Sequence, residues 1–280
     1  MIKKSAAVLI SAVLLLLSGC GKTELIFLYD SHLESAFHID VPLFAGSYDG
    51  TLPETFEKLA ASRGYRLKGI CLEKEKEYAA AVKEYSSSQV PVIMTAYIFT
   101  DPEVMKSGTE NCIAVGPASD IPDGTEIAGK GLDAITAFGR ETGSAGRNVS
   151  FVRYDNNLGN HIYRAFVRGY GNENGIEEIR ASSVSAVTEI LEKGRGEAVV
   201  TAGKYLTDAG SVRKGADRMI LLNNPVNPDL FSDREKERIK EAFSYDFRAA
   251  FETALEKVSS GTSGKNVYCL ELSRISVPMP

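Results

Sequence analysis

The sequence predicts an α/β protein of two lobes, each a parallel sheet flanked by helices. Three observations carry this. Apolar strand-like runs alternate with amphipathic helices from Leu25 onward, the rhythm of a parallel sheet covered on both faces. Val90 to Phe99 is apolar nearly throughout, as a central strand buried on both faces is. Beyond a seam at Arg147 to Asn174 the same rhythm starts again.

Leu25 to Tyr29 reads as the first strand, followed by a long polar stretch, Asp30 to Gly50. Thr51 with Glu54 forms a capping box and Pro53 sits early in the helix it opens, with Leu52, Phe56 and Leu59 as the apolar stripe. Gly64 stops that helix. Tyr65 to Cys71 is the next strand, and Glu73 to Ser86 the next helix, with Tyr78, Val82 and Tyr85 on one face. After Val90 to Phe99, Asp101 and Pro102 open a short helix ending near Gly108, and Cys112 to Val115 is a strand. Past the turn-rich Pro117 to Gly124, Ile127, Leu132, Ile135 and Phe138 mark a helix that ends around Gly143 to Gly146.

At the seam, Asn148 to Arg153 reads as a buried strand and Asp155 to Asn160 as a polar loop. A helix follows, whose Ile162, Phe166 and Tyr170 recur at four-residue steps, and Asn174-Gly175 closes the unit. Strands follow at Glu178 to Ser182, Ala198 to Ala202 and Arg218 to Leu222, with helices Ser185 to Lys193 and Tyr205 to Arg213 between them. Pro225 and Pro228 exclude a helix and favour an extended crossing. Ser232 with Glu235 opens a long helix to about Val258, with Ile239, Phe243, Phe247, Phe251, Leu255 and Val258 near one face. Val267 to Leu272 is a final strand.

The first nineteen residues are a leader rather than part of the fold. Lys3 and Lys4 precede an apolar run, Ala6 to Leu17, too short to span a bilayer, and this is the layout of a secretory signal peptide. Leu17-Ser18-Gly19-Cys20 resembles the bacterial lipobox, which implies cleavage before Cys20, a lipid on its thiol and a protein facing the periplasm or exterior. Two or more acyl chains would anchor it stably. Gly21-Lys22-Thr23 lacks the earlier glycine of a phosphate-binding loop, since Leu16 stands there.

Net charge is −5, and loss of Lys3 and Lys4 with the leader would make it −7. No basic run is interleaved with aromatics, so a nucleic-acid partner is not expected. Cys20 aside, Cys71, Cys112 and Cys269 all fall in strand-like runs and read as buried thiols, with a Cys71–Cys112 disulfide the pairing to doubt first. No Cys/His spacing supports a zinc site.

The order of elements resembles a type I periplasmic binding protein. FVRYDNNLGNHIYRAFVRGYG resembles the strand, loop and helix of that family's second lobe. EAVVTAGKYLTDAGSVRKG resembles a later strand and ligand-facing loop, and the helix from Ser232 with VYCLEL its closing segment. The resemblance implies a hinge of three crossings, here near Gly146-Arg147, Asn224-Pro225 and Gly261 to Gly264. It divides the chain into a first lobe, 20–147 plus about 229–262, and a second, 148–225 plus about 265–275. It implies capture of a small ligand between the lobes and delivery to an ABC permease.

Ligands of open α/β sheets sit beyond the carboxyl ends of the strands. That rule selects Asp30, His32, Tyr97, Tyr154, Asp155, Asn156, Asn157, Lys204 and Asn223, a set suited to a polar neutral or zwitterionic ligand. The competing reading is that Asx residues after strands simply make turns. Asp30 and His32 share a face of an extended segment and could reach one metal ion, but the spacing equally fits a solvated loop, so no metal or other cofactor is assigned. With no G-x-S-x-G elbow and three histidines, no enzymatic activity is expected. The expected function is a membrane-anchored solute-binding lipoprotein serving an ABC importer. The alternative is an envelope lipoprotein that uses the fold for protein interaction or sensing without transport.

Overall fold

The computed structural model describes residues 22–30, 52–72, 75–86, 90–95, 112–116, 118, 120–182, 186, 189, 197–201, 218–222, 233, 237, 239–261 and 266–275. Twelve strands among them form two six-stranded sheets. They are β1 Thr23–Asp30, β2 Tyr65–Leu72, β3 Val92–Thr95, β4 Cys112–Val115, β5 Glu126–Ala128, β6 Val149–Tyr154, β7 Ile176–Ala181, β8 Glu197–Thr201, β9 Arg218–Leu222, β10 Ile239–Tyr245, β11 Val267–Cys269 and β12 Leu272–Ile275. The helices are α1 Leu52–Ser62, α2 Glu75–Ser86, α3 Gly131–Ser144, α4 Asn157–Tyr170 and α5 Phe247–Ser259.

The first sheet has the order β2-β1-β3-β4-β11-β5, parallel throughout. The second has the order β12-β10-β9-β8-β6-β7 and is parallel except where β12 runs against β10. Burial explains the continuous apolar runs: Leu25 to Leu28 and Val92 to Thr95 are closed to solvent on both faces. Phe56 of α1 stacks on Phe251 of α5 at 4.1 Å, and both meet Phe27 edge-on. In the second lobe Phe151 of β6 packs on Phe166 of α4, and Phe138 of α3 bridges Phe166 to Phe243 of β10.

Four elements depart from the sequence reading. The helix expected from Ile127 is a short strand, β5, followed by α3, and α3 packs on α4 of the second lobe. The two helices meet through glycines: a Cβ on Gly139 would lie 2.2 Å from the Phe166 carbonyl oxygen, and one on Gly169 1.9 Å from that of Thr136. The long helix expected from Ser232 is strand β10 and then helix α5. Ile239 and Phe243 are four apart, but four is also a multiple of the two-residue strand repeat, so that spacing fits both periods. Pairing of β10 with β9 and β12 decides the matter, and Asp246, whose Oδ1 accepts from Ala249 N at 2.9 Å, starts the helix afresh. The expected final strand is two strands in different sheets. Helix α4 starts at Asn157, inside the segment expected to be loop.

These departures move the seams. The chain passes from β5 to α3 at Gly129-Lys130, from β10 to α5 at Asp246 and from β11 to β12 at Leu270-Glu271. The expected crossing at Gly146-Arg147 joins α3 to β6 within one lobe; Asn224-Pro225 and residues 262–264 lie outside the described residues, but the elements before and after each, β9 and β10, and α5 and β11, belong to one lobe. Residues 131–147 and 239–245 therefore pack in the second lobe, and 267–269 in the first.

Cys71, Cys112 and Cys269 form no disulfide. Cys112 and Cys269 are buried and Cys71 is half-buried on edge strand β2. Three strand spacings separate Cys71 from Cys112, roughly 14 Å at the usual inter-strand distance, twice the reach of a disulfide.

Candidate functional site

Each sheet reverses its strand order at one place. In the first, β2 and β3 flank β1; in the second, β7 and β8 flank β6. Such switch points leave a crevice at the carboxyl ends of the strands. The ends here are Asp30 on β1 and Tyr154 on β6, both selected from sequence. His32, Tyr97, Lys204, Asn223 and the Asp30 side chain lie outside the described residues, as does Cys20. Among the described residues no group of three or more His, Cys, Asp or Glu could hold a metal ion.

The segment 154–157 is fully described, and much of it serves the fold. Asn156 is the N-cap of α4, its Oδ1 accepting from Gly159 N at 2.8 Å. Asn157 donates its backbone N–H to Asp120 Oδ1 at 3.0 Å, and its amide Nδ2 lies 3.4 Å from the carbonyl oxygens of Ile121 and Pro122. Asp155 is exposed and pairs with Arg153 at 3.6 Å and Arg180 at 3.9 Å. Tyr154 is half-buried at the end of its strand.

Among the described residues Arg153 is the largest fully buried side chain, only 1% exposed. Its Nε donates to Glu178 Oε1 at 2.7 Å and its Nη1 to the Tyr154 carbonyl at 3.0 Å, while the guanidinium lies over the Tyr163 ring. Burial alone would raise the Glu178 pKa, but hydrogen bonds from Arg180 and Arg153 outweigh it and hold the carboxyl below its ordinary value. This pairing anchors the carboxyl end of β6 to edge strand β7.

The hinge is a knot of hydrogen bonds. Leu270 N donates to Ala128 O at 2.8 Å, Gly131 N to Leu270 O at 2.9 Å and Asp246 N to Glu271 O at 2.9 Å, so the third crossing is tied to each of the other two. Glu271 accepts from Lys130 N through Oε2 and from Thr253 through Oε1. Gly129, at φ +98°, must be glycine: a Cβ would lie 2.6 Å from Leu270 O and from Glu271 Oε1.

Two tyrosines tie this knot to the loop after β4. Tyr245 OH accepts from Gly116 N and donates to Cys269 O, both at 2.6 Å. Tyr268 OH donates to Gly116 O at 2.9 Å and accepts from Ala118 N at 3.3 Å. Both rings are fully buried, and burial pushes the Tyr245 hydroxyl pKa well up, so the group stays a neutral donor. Asp120, Tyr245, Tyr268 and Glu271 were not selected from sequence. Asp246 had a legible signal, an Asx residue three positions before Ala249, hidden inside a helix expected to run through it.

No protein-family model matches the sequence, and no curated protein matches it. Solved structures do match in fold. The sugar-binding protein of a Bacillus halodurans sugar ABC transporter is 10% identical, with 91% of this chain and 97% of that chain covered and a TM-score of 0.53. A LacI transcriptional regulator from a Rhodococcus species is 14% identical, with 90% and 96% covered and a TM-score of 0.53. The transcriptional regulator CelR in complex with cellobiose is 10% identical, with 91% and 83% covered and a TM-score of 0.51. At such identities the likeness is one of fold, and it joins the topology above: the chain has the type I periplasmic-binding-protein-like fold, two α/β lobes joined by three crossings.

Proposed function

We propose that this protein binds a small polar ligand between its lobes, as a membrane-anchored extracytoplasmic lipoprotein serving an ABC importer. One observation carries the ligand-binding reading: both sheets present a switch point, at the ends of β1 and β6, and one hinge of three crossings joins the two lobes. The fold neighbours support it, since they include a sugar-binding protein of an ABC transporter and a regulator bound to cellobiose. The lipobox-like Leu17 to Cys20 motivates the anchor, and the polar residues at the strand ends motivate a polar neutral or zwitterionic ligand.

The test is native mass spectrometry of the purified protein for a co-purifying ligand, followed by thermal shift against sugars, nucleosides, amino acids and vitamins. One compound class raising the melting temperature in a saturable way supports the proposal; no shift and no bound mass refute it. Cys20→Ala should abolish palmitate labelling and release the chain from membranes. The regulators among the fold neighbours favour a second reading, ligand sensing without transport. Deleting the protein and measuring uptake of the identified ligand separates the two: unchanged uptake favours sensing.

A further inference from the structure

The connection between β4 and β5 leaves the first sheet at its carboxyl edge and touches the second lobe before returning. Asp120 places one oxygen, Oδ1, on three backbone N–H groups: its neighbour Ile121 at 2.8 Å, Asn157 at 3.0 Å and Leu158 at 3.3 Å. The last two are the free amides at the start of α4, a fourteen-residue helix with no acidic residue in its own first turn. The positive end of that helix is therefore matched by a carboxylate from the other lobe. Asn157 returns the contact, its amide reaching Ile121 O, Pro122 O and Asp123 Oδ1, each at 3.4 Å. Beside these bonds, Ala118, Ile121 and Leu158 are each at most 2% exposed, so the join is dry on one side. Covalent connection accounts for none of this, because residues 120 and 157 are 37 apart in the chain.

We propose that Asp120 and Asn157 form a latch that holds the two lobes together in the unliganded protein and that must break for the cleft to open. The three crossings act as the hinge; the latch adds a further contact between the lobes, one that hinge rotation can remove. Opening exposes the amides of Asn157 and Leu158 to water and leaves α4 without its anion, so latch strength sets the open population. This rests on the two-lobe architecture alone and not on the identity or existence of a ligand.

The experiment uses the purified protein without ligand. Hydrogen exchange is followed in peptides covering 155–160 and 162–170, in the parent, Asp120→Ala, Asp120→Asn and Asn157→Ala. Lobe separation is read by electron-spin distance between labels at Lys58→Cys and Arg164→Cys, both exposed, in a Cys71→Ser background. Asp120→Ala should speed exchange at 155–160 by roughly tenfold, the worth of one charge-assisted hydrogen bond, and leave 162–170 unchanged. The label distance should shift or broaden toward longer values, with Asp120→Asn intermediate. Unchanged exchange at 155–160, or an unchanged distance distribution, overturns the latch. Faster exchange along all of α4 also overturns it, as that is loss of the helix rather than of the contact. Should Asp120→Ala fail to fold, Asp120→Asn and Asn157→Ala carry the same comparison. Ligand screening that finds nothing would refute the proposed function and leave this result standing.

Discussion

Gly169→Ala sets two physical expectations of opposite sign against each other. By helix propensity, alanine in place of glycine stabilises a helix interior by about 1 kcal/mol. By packing, the new Cβ would lie 1.9 Å from Thr136 O, 2.8 Å from Thr136 C and 2.9 Å from Arg140 N. All three are backbone atoms of α3, so no rotamer change can relieve the clash. Reaching an ordinary contact of 3.4 Å requires α3 and α4 to part locally by about 1.5 Å. A gap of that order forfeits a quarter to a half of the dispersion energy across the contact, or more. Parting the helices also loosens the close approaches at Gly139 and Gly143, where a Cβ would lie 2.2 Å and 2.4 Å from carbonyl oxygens of α4. Overpacking costs about 1–3 kcal/mol, and an unyielding backbone puts this site at the upper end. Net of propensity, Gly169→Ala should lose about 2 kcal/mol, or about 4–8 °C in melting temperature for a chain of this size. Urea denaturation at equilibrium measures it. Gly146→Ala is the control, with open space around it but φ +64°, and should lose about 1–2 kcal/mol through backbone strain alone. A Gly169→Ala protein as stable as the parent would refute the α3–α4 packing, and with it the placement of 131–144 in the second lobe.

Other outcomes follow from the hinge and the thiols. Tyr245→Phe removes the partner of Gly116 N and of Cys269 O in a fully buried site and should cost about 2–4 kcal/mol by denaturant unfolding; a loss under about 0.5 kcal/mol would refute the clamp. Combined with Tyr268→Phe, the losses should be non-additive, because one hydroxyl holds the N–H and the other the carbonyl of Gly116. Burial raises the Cys112 thiol from 9.0 to about 12, so the folded state keeps it protonated after the unfolded chain has ionised. The stability it contributes is complete below pH 9 and is lost as pH rises toward 12, about 2–3 kcal/mol by pH 11. Cys112→Ala should flatten the fall in unfolding free energy between pH 8 and pH 11, and an identical slope would count against the burial. In native protein, a disulfide-exchange reagent should react with half-buried Cys71 well before Cys112 and Cys269, which react on unfolding; simultaneous reaction of all three would contradict their positions.

Two lobes, the strands and most helices could be read from sequence because burial leaves a periodic trace. A strand buried on both faces must be continuously apolar, as Leu25 to Leu28 is, and an amphipathic helix must repeat its apolar residues, as Ile162 and Phe166 do. Where one spacing served two periods, as for Ile239 and Phe243, local pattern could not choose, and the neighbouring strands β9 and β12 did. The asparagines after β6 were legible as residues that bond backbone, yet whether Asn156 and Asn157 faced a ligand or the chain depended on what lay opposite. Asp120 lay opposite, 37 residues away. Nothing local marked the places where the chain changes lobe as crossings: Asp246 carries a helix-start signal, but it, Gly129 and Leu270 become a hinge only when three distant segments converge and bond to one another. The two-lobed α/β plan was written in the order of residues, since it follows from which of them avoid water. Tertiary structure alone decided the seams, the hinge and the contact between lobes, because each is a hydrogen bond or a close approach between segments far apart in the chain.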